Sequence, residues 1–234
     1  MQINKSNFEP NLLRKTVLRM AFSGSTVHIA CAFSIIELVS VLYRNFLNYP
    51  NNDPNHPDRD YFVLSKGHGV MALYAVFYEM GWLSEKDINN YFGDGTDLKG
   101  LSDSRVNGLE VTSGTLGHGF SVAVGIAAGL KKKNSKQIVY ALVGDGELNE
   151  GAIWEGILFA AHHKLNNLIL IVDVNGYQAM GSTNEIIELK NLKEKFDSFS
   201  FSVIEIDGHD QKEIEQSVKK LLNEKDNSPK VILA

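Results

Sequence analysis

The second half of the chain alternates short apolar runs with helical text, and this alternation restricts the fold more than any other feature. "QIVYALV", "NLILIVDV", "FSVIEI" and the last run, "KVILA", are rich in Val, Ile and Leu and have the length of buried strands. Strands interleaved with helices in this way indicate an α/β domain, a doubly wound, mostly parallel sheet with helices on both faces. In such sheets ligands sit beyond the carboxyl ends of the strands.

The first half carries the complementary signals. Residues 11–48 repeat apolar residues at helical spacing with one break at "SGSTVH", which predicts two helices joined by a loop that holds His28. "NYPNNDPNHPDRD" has turn chemistry and nothing to bury. "YFVLSKGHG" reads as a short strand ending in the glycine-flanked His68, "VMALYAVFYEMGW" as a buried helix, and Ser84 as the N-cap of a further helix. Residues 93–119 contain seven glycines and little periodicity, a pattern for a long ordered loop, before "FSVAVGIAAGLKKK" returns to small-residue helix. No internal repeat, low-complexity tract or linker divides the text, so residues 1–234 are expected to form a single domain.

Composition excludes several classes. The 234 residues include 22% charged residues and a net charge of −5, which offers no general attraction to nucleic acid or to acidic membranes. Cys31 is the only cysteine, so no internal disulfide can form. "MQINKSNFEP" lacks the apolar core of a signal peptide, and no run is apolar enough to span a bilayer; a cytoplasmic location is the expectation.

The chemistry concentrates in "GDGELNEG", residues 144–151, placed where a strand gives way to a helix expected to start near Asn149. Glycines beside Asp145 let the backbone approach a ligand, and the helix N-terminus favours an anion such as phosphate. An acid there would repel that anion. The conflict disappears if a divalent cation lies between them, bound by Asp145, by the Asn175 side-chain oxygen in "DVNGY" and by a backbone carbonyl just beyond. Taken singly, Asp145 is also a plausible helix cap and Asn175 a plausible turn residue.

Gly-Asp-Gly followed thirty residues later by Asn is the thiamine diphosphate motif, and "GDGELNEGAIWEGILFAAHHKLNNLILIVDVNGYQAMG" resembles transketolase, specifically its separately encoded N-terminal subunit. The resemblance extends over nearly the whole chain. It implies the diphosphate-binding (PP) domain, with thiamine diphosphate and Mg2+ or Ca2+ as cofactors. By that resemblance Asp145, Asn175 and the Tyr177 carbonyl hold the metal, and Gly146 contacts the diphosphate. Glu150 matches a glutamate at the subunit interface that links the two active sites through a proton network, which implies a catalytic role, although the residues alone leave it equally a first-turn acid favoured by the helix dipole.

His28 in "STVHIACAF" and His68 in "LSKGHG" match two further family segments, which implies roles toward the substrate oxygens and near the cofactor. A lone histidine in such a context is as readily structural; imidazole near neutral pH can also shuttle protons and donate to a developing alkoxide. "EVTSGTLGHGF" matches the segment whose glycine and leucine touch the aminopyrimidine, positions taken by Gly114 and Leu116; Gly117 and Gly119 would let the next helix pack closely, and His118 reads as structural.

The chain departs from the family in three places. Leu101 stands where transketolases carry a histidine that binds donor hydroxyls, which points away from xylulose 5-phosphate and toward an unusual sugar. Ala30 replaces a glycine after His28. "KVILA" ends the chain where family members continue into a further segment. The pyrimidine-binding domain is not in this text, so the resemblance implies a separate C-terminal subunit, with an α2β2 assembly and no activity for the single chain. Rival readings are another thiamine diphosphate chemistry, such as 2-oxo acid decarboxylation, and a non-catalytic cofactor-binding subunit. Because no G-x-G-x-x-G follows a strand, a dinucleotide site is disfavoured.

Overall fold

The computed structural model describes residues 8–25 and 27–234. Helix α1 (Pro10–Ser23) opens on a proline, whose missing N–H costs nothing at a first helical position. The text expected to form one helix after it forms two, α2 (Ile29–Ser34) and α3 (Ile36–Asn45), parted at Ile35 (φ −108°, ψ 6°). His28 sits in the expected loop with a left-handed backbone (φ 66°).

Strand β1 (Tyr61–Leu64) leads into the buried helix α4 (Val70–Glu79), then α5 (Glu85–Asn89). Ser84 caps α5 as its sequence predicts: its Oγ accepts from the Asp87 N–H, and Asp87 Oδ2 accepts from the Ser84 N–H. Residues 90–117 contain no helix or strand, in keeping with their glycine content. Next come α6 (His118–Lys132), β2 (Val139–Gly144), α7 (Gly151–His162) and β3 (Leu168–Asp173). A two-residue hairpin, β4 (Tyr177–Gln178) with β5 (Gly181–Ser182), and the short helix α8 (Thr183–Ile186) follow. The chain closes with α9 (Leu192–Ser198), β6 (Ser202–Glu205), α10 (Gln211–Asn223) and β7 (Lys230–Leu233).

The five main strands pair in the order β1-β2-β3-β7-β6, and every neighbouring pair is parallel. Alternation along each strand divides the core in two. Tyr140 and Leu142 of β2 pack with residues of α1, α3, α4 and α10, whereas Val139, Ala141 and Val143 pack with residues of α6, α7 and α9. Both faces of the sheet are therefore covered, as continuous apolar runs require.

The α-helix expected from near Asn149 starts later. Residues Gly146–Asn149 form a 3-10 turn, Glu150 is extended, and α7 begins at Gly151. The Leu148 carbonyl, outside the α-helical ladder, accepts from Trp154 Nε1 at 2.7 Å. Among the described residues no helix is long and apolar enough to cross a membrane.

Candidate cofactor and active site

Register decides what meets at the sheet edge. Leu64 lies beside Leu142 and Gly144 beside Asp173, so the carboxyl ends of β1, β2 and β3 finish together. A cavity of about 770 Å3 opens there. His28, His68, Gly114, Leu116, Asp145, Gly146, Asn175 and Tyr177 all line it, and so do Leu101 and Ala30. Glu150 is not among the lining residues. It lies exposed as the N-cap of α7, so close to Gly117 that a Cβ on that glycine would stand 3.0 Å from Glu150 Cβ. His118 is exposed at the first position of α6 and is likewise outside the lining.

Asp145 is almost fully buried. Its Oδ1 accepts from the Gly146 N–H and its Oδ2 from the Gly176 N–H, each at 2.7 Å. Asn175 Oδ1 accepts from the Tyr177 N–H at 2.9 Å. The cap and the turn considered from sequence are thus both present, and they aim these side chains at the cavity. Burial pushes the Asp145 carboxyl above its ordinary value, against the opposing pull of the two amide bonds.

Two buried polar groups escaped the sequence reading. Lys66 and Asp173 form an ion pair at 1% and 3% exposure, and Ser34 Oγ donates to Asp173 Oδ1 at 2.7 Å. Glu147, 2% exposed, accepts from Ser65 Oγ, from the Gly117 N–H at 2.8 Å and from the Gly144 N–H at 3.3 Å. It ties the ends of β1 and β2 to the start of α6. The available signals were a lysine at the end of "YFVLSK" and acids that end or follow apolar runs. Their partners lie 82 and 107 residues away in sequence, beyond any local pattern.

The two histidines are neighbours, with ring centroids 5.3 Å apart. Burial, with the Lys66 cation and the His28 ring adding to it, lowers the His68 imidazole to about 4, so it is neutral at physiological pH. Leu101 leans on Gly114, where a Cβ would stand 2.9 Å from Leu101 Cδ1 and where φ is +150°. Only glycine suits that position, and Leu101 makes that part of the wall apolar.

The donor set suits a hard cation and a phosphate. Asp145 and Asn175 supply a carboxylate and an amide oxygen, with the Tyr177 carbonyl adjacent, all ligands that Mg2+ and Ca2+ favour. Gln178, also in the lining, keeps a buried Nε2 donor without a partner among the described residues. It packs against Gly146 so tightly that a Cβ there would stand 2.7 Å from Gln178 Cβ, so only glycine lets the two stretches approach this closely.

Such a cavity at the strand ends of a parallel α/β sheet, lined by polar side chains, has the place and character of a cofactor-binding site. The family model described as transketolase, thiamine diphosphate binding domain, matches residues 12–234, and the chain belongs to that family. A 6-deoxy-6-sulfo-D-fructose transketolase subunit from Clostridium sp. (strain MSTE9) is 36% identical over 90% of this chain and 77% of its own length. An apulose-4-phosphate transketolase subunit from Actinobacillus succinogenes is 36% identical over 94% of this chain and 80% of its own length. Transketolase from Campylobacter jejuni superposes with a TM-score of 0.85 at 29% identity, covering 100% of this chain and 38% of that one. The chain therefore spans well under half the length of that solved transketolase and most of the length of the two relatives named as subunits.

Proposed function

We infer that this chain is the diphosphate-binding subunit of a transketolase-type enzyme that moves a two-carbon ketol unit from a ketose to an aldehyde. The observation that carries this reading is the convergence of His28 and His68 with Asp145, Asn175 and Tyr177 on one cavity. When bound, thiamine diphosphate supplies a nucleophilic carbon that adds to the ketose carbonyl. Asp145, Asn175 and the Tyr177 carbonyl hold Mg2+ or Ca2+, the Gly146 backbone faces the diphosphate, and Gly114 and Leu116 face the aminopyrimidine. His28 exchanges protons with substrate oxygens, while His68, neutral at physiological pH, serves as a hydrogen-bonding ring near the cofactor.

The partner is a separately encoded pyrimidine-binding subunit in an α2β2 assembly, with Glu150 at the subunit interface. Support comes from the names of two relatives, each of which is called a subunit, and from the exposure of Glu150 outside the cavity. The donor is a sugar other than xylulose 5-phosphate, for which apulose 4-phosphate and 6-deoxy-6-sulfo-D-fructose are the first candidates. That part rests on Leu101, an apolar side chain that cannot hydrogen-bond a donor hydroxyl.

Calorimetry with thiamine diphosphate and Mg2+ is expected to show binding that Asp145→Ala abolishes, and ketol transfer is expected only after the partner subunit is added. Full turnover by the single chain would remove the partner from this reading. A preference for xylulose 5-phosphate over every other ketose tested would remove the unusual donor.

A further inference from the structure

Asp173 ends β3 with three groups converging on its carboxylate. Ser34 Oγ donates to Oδ1, while Oδ2 accepts from the Lys66 ammonium and, at 2.9 Å, from Asn175 Nδ2. The Asn175 amide therefore meets an acceptor at its nitrogen and the Tyr177 N–H at its oxygen. A side-chain amide has nearly the same shape when turned over, but these neighbours are not interchangeable. Reversed, its NH2 would face an N–H and its oxygen a carboxylate, so two hydrogen bonds would become two repulsions. Lys66 keeps the arrangement in place, because a buried carboxylate without a counter-charge would be expelled or protonated.

We propose that Asp173, held by Lys66 and Ser34, is a positioning residue that fixes the Asn175 amide with its oxygen presented for a divalent ion, and so sets the affinity of the site for that ion. The proposal rests on the metal reading of Asp145 and Asn175 given above. Outer partners that orient a ligand in this way commonly account for about 10–100-fold in metal affinity.

The test uses the full chain with thiamine diphosphate present and Mn2+ as the probe, free Mn2+ being followed by electron paramagnetic resonance. Asp173→Asn removes the charge that selects the amide orientation. Lys66→Met combined with Asp173→Leu replaces the ion pair by apolar groups of similar volume, so that no buried lysine is left unpaired. Both are expected to weaken Mn2+ binding by about 10–100-fold. The metal-free melting temperature of each variant establishes that it is folded, and a loss of Mn2+ affinity in a folded variant is the readout that a purely structural role for the pair would not move. A folded variant that binds Mn2+ within about twofold of wild type would overturn the proposal. Failure of the wild-type chain itself to bind Mn2+ would overturn the metal reading and the proposal with it, and would be recognised because every protein would then behave alike.

Discussion

Two glycines of α6 allow the packing argument to be tested against itself. A Cβ built on Gly119 stands 2.7 Å from Ser65 Cα and 2.8 Å from Ser65 Oγ, whereas one built on Gly125 of the same helix meets nothing within 4 Å. Ordinary carbon contacts lie at about 3.5–4.0 Å, so Gly119→Ala forces an overlap of roughly 1 Å onto backbone at the end of β1. Overpacking of this kind costs about 1–3 kcal/mol, and the value belongs near the upper end because Ser65 Cα cannot turn aside. Neither glycine has a positive φ, so backbone strain does not enter. Gly125→Ala should instead gain about 1 kcal/mol of helix propensity. For a chain of this size each kcal/mol moves the melting temperature by about 2–4 °C, so Gly119→Ala should melt roughly 4–10 °C lower and Gly125→Ala roughly 2–4 °C higher. Thermal unfolding followed by circular dichroism at one protein concentration measures both. Ser65 Oγ also accepts from the Phe120 N–H and donates to Glu147, so the Gly119 variant should bind thiamine diphosphate and Mg2+ more weakly as well. Melting of Gly119→Ala at or above the temperature of Gly125→Ala would refute the reasoning.

Other outcomes follow from the same contacts. NMR titration of His68 should show a neutral ring until the pH approaches 4, against an ordinary value of 6.5. Because the folded value lies below the unfolded one, the stability this ring contributes is complete above pH 6.5 and is lost as the pH falls toward 4; His68→Gln should flatten that part of the stability curve. A His68 titration midpoint near 6.5 would contradict its burial. Ser84→Ala removes one half of the capping box on α5 and should cost about 1 kcal/mol in chemical denaturation, with Ser84→Asp retaining most of it. Equal stability of the alanine and aspartate variants would mean that the cap contributes nothing.

The strands, the buried helix α4, the cap at Ser84 and the glycine-rich loop were legible because each rests on a local signal: period, turn chemistry or a three-residue spacing. The cavity was legible because "GDG" and "DVNGY" each follow an apolar run, and parallel register brings such ends together at Gly144 and Asp173. What was not legible depends on distance. Lys66 and Glu147 stand inside segments whose neighbours were singled out, but their buried state is decided by Asp173 and by the backbone at Gly117, which no local pattern reports. The split of the second helix at Ile35 and the 3-10 turn before α7 fall beside contacts across the sheet edge, where Ser34 reaches Asp173 and Glu147 reaches the ends of β1 and α6.

Asp145 shows why a capping role and the proposed ligand role are compatible. An ionised carboxylate has about four lone-pair sites, and the Gly146 and Gly176 amides occupy two of them, one on each oxygen. Burial disfavours the charge on this carboxylate, and a divalent ion on the remaining lone pairs would restore it. Asn175 repeats the pattern: Oδ1 spends one lone pair on the Tyr177 N–H of its turn and retains another, while its nitrogen is anchored on Asp173. Asp and Asn favour caps and turns because they carry more acceptor capacity than one backbone N–H can use. Under the proposed metal reading that surplus is what a hard cation would take, with the backbone bonds fixing the donors and the unused lone pairs available to the ion.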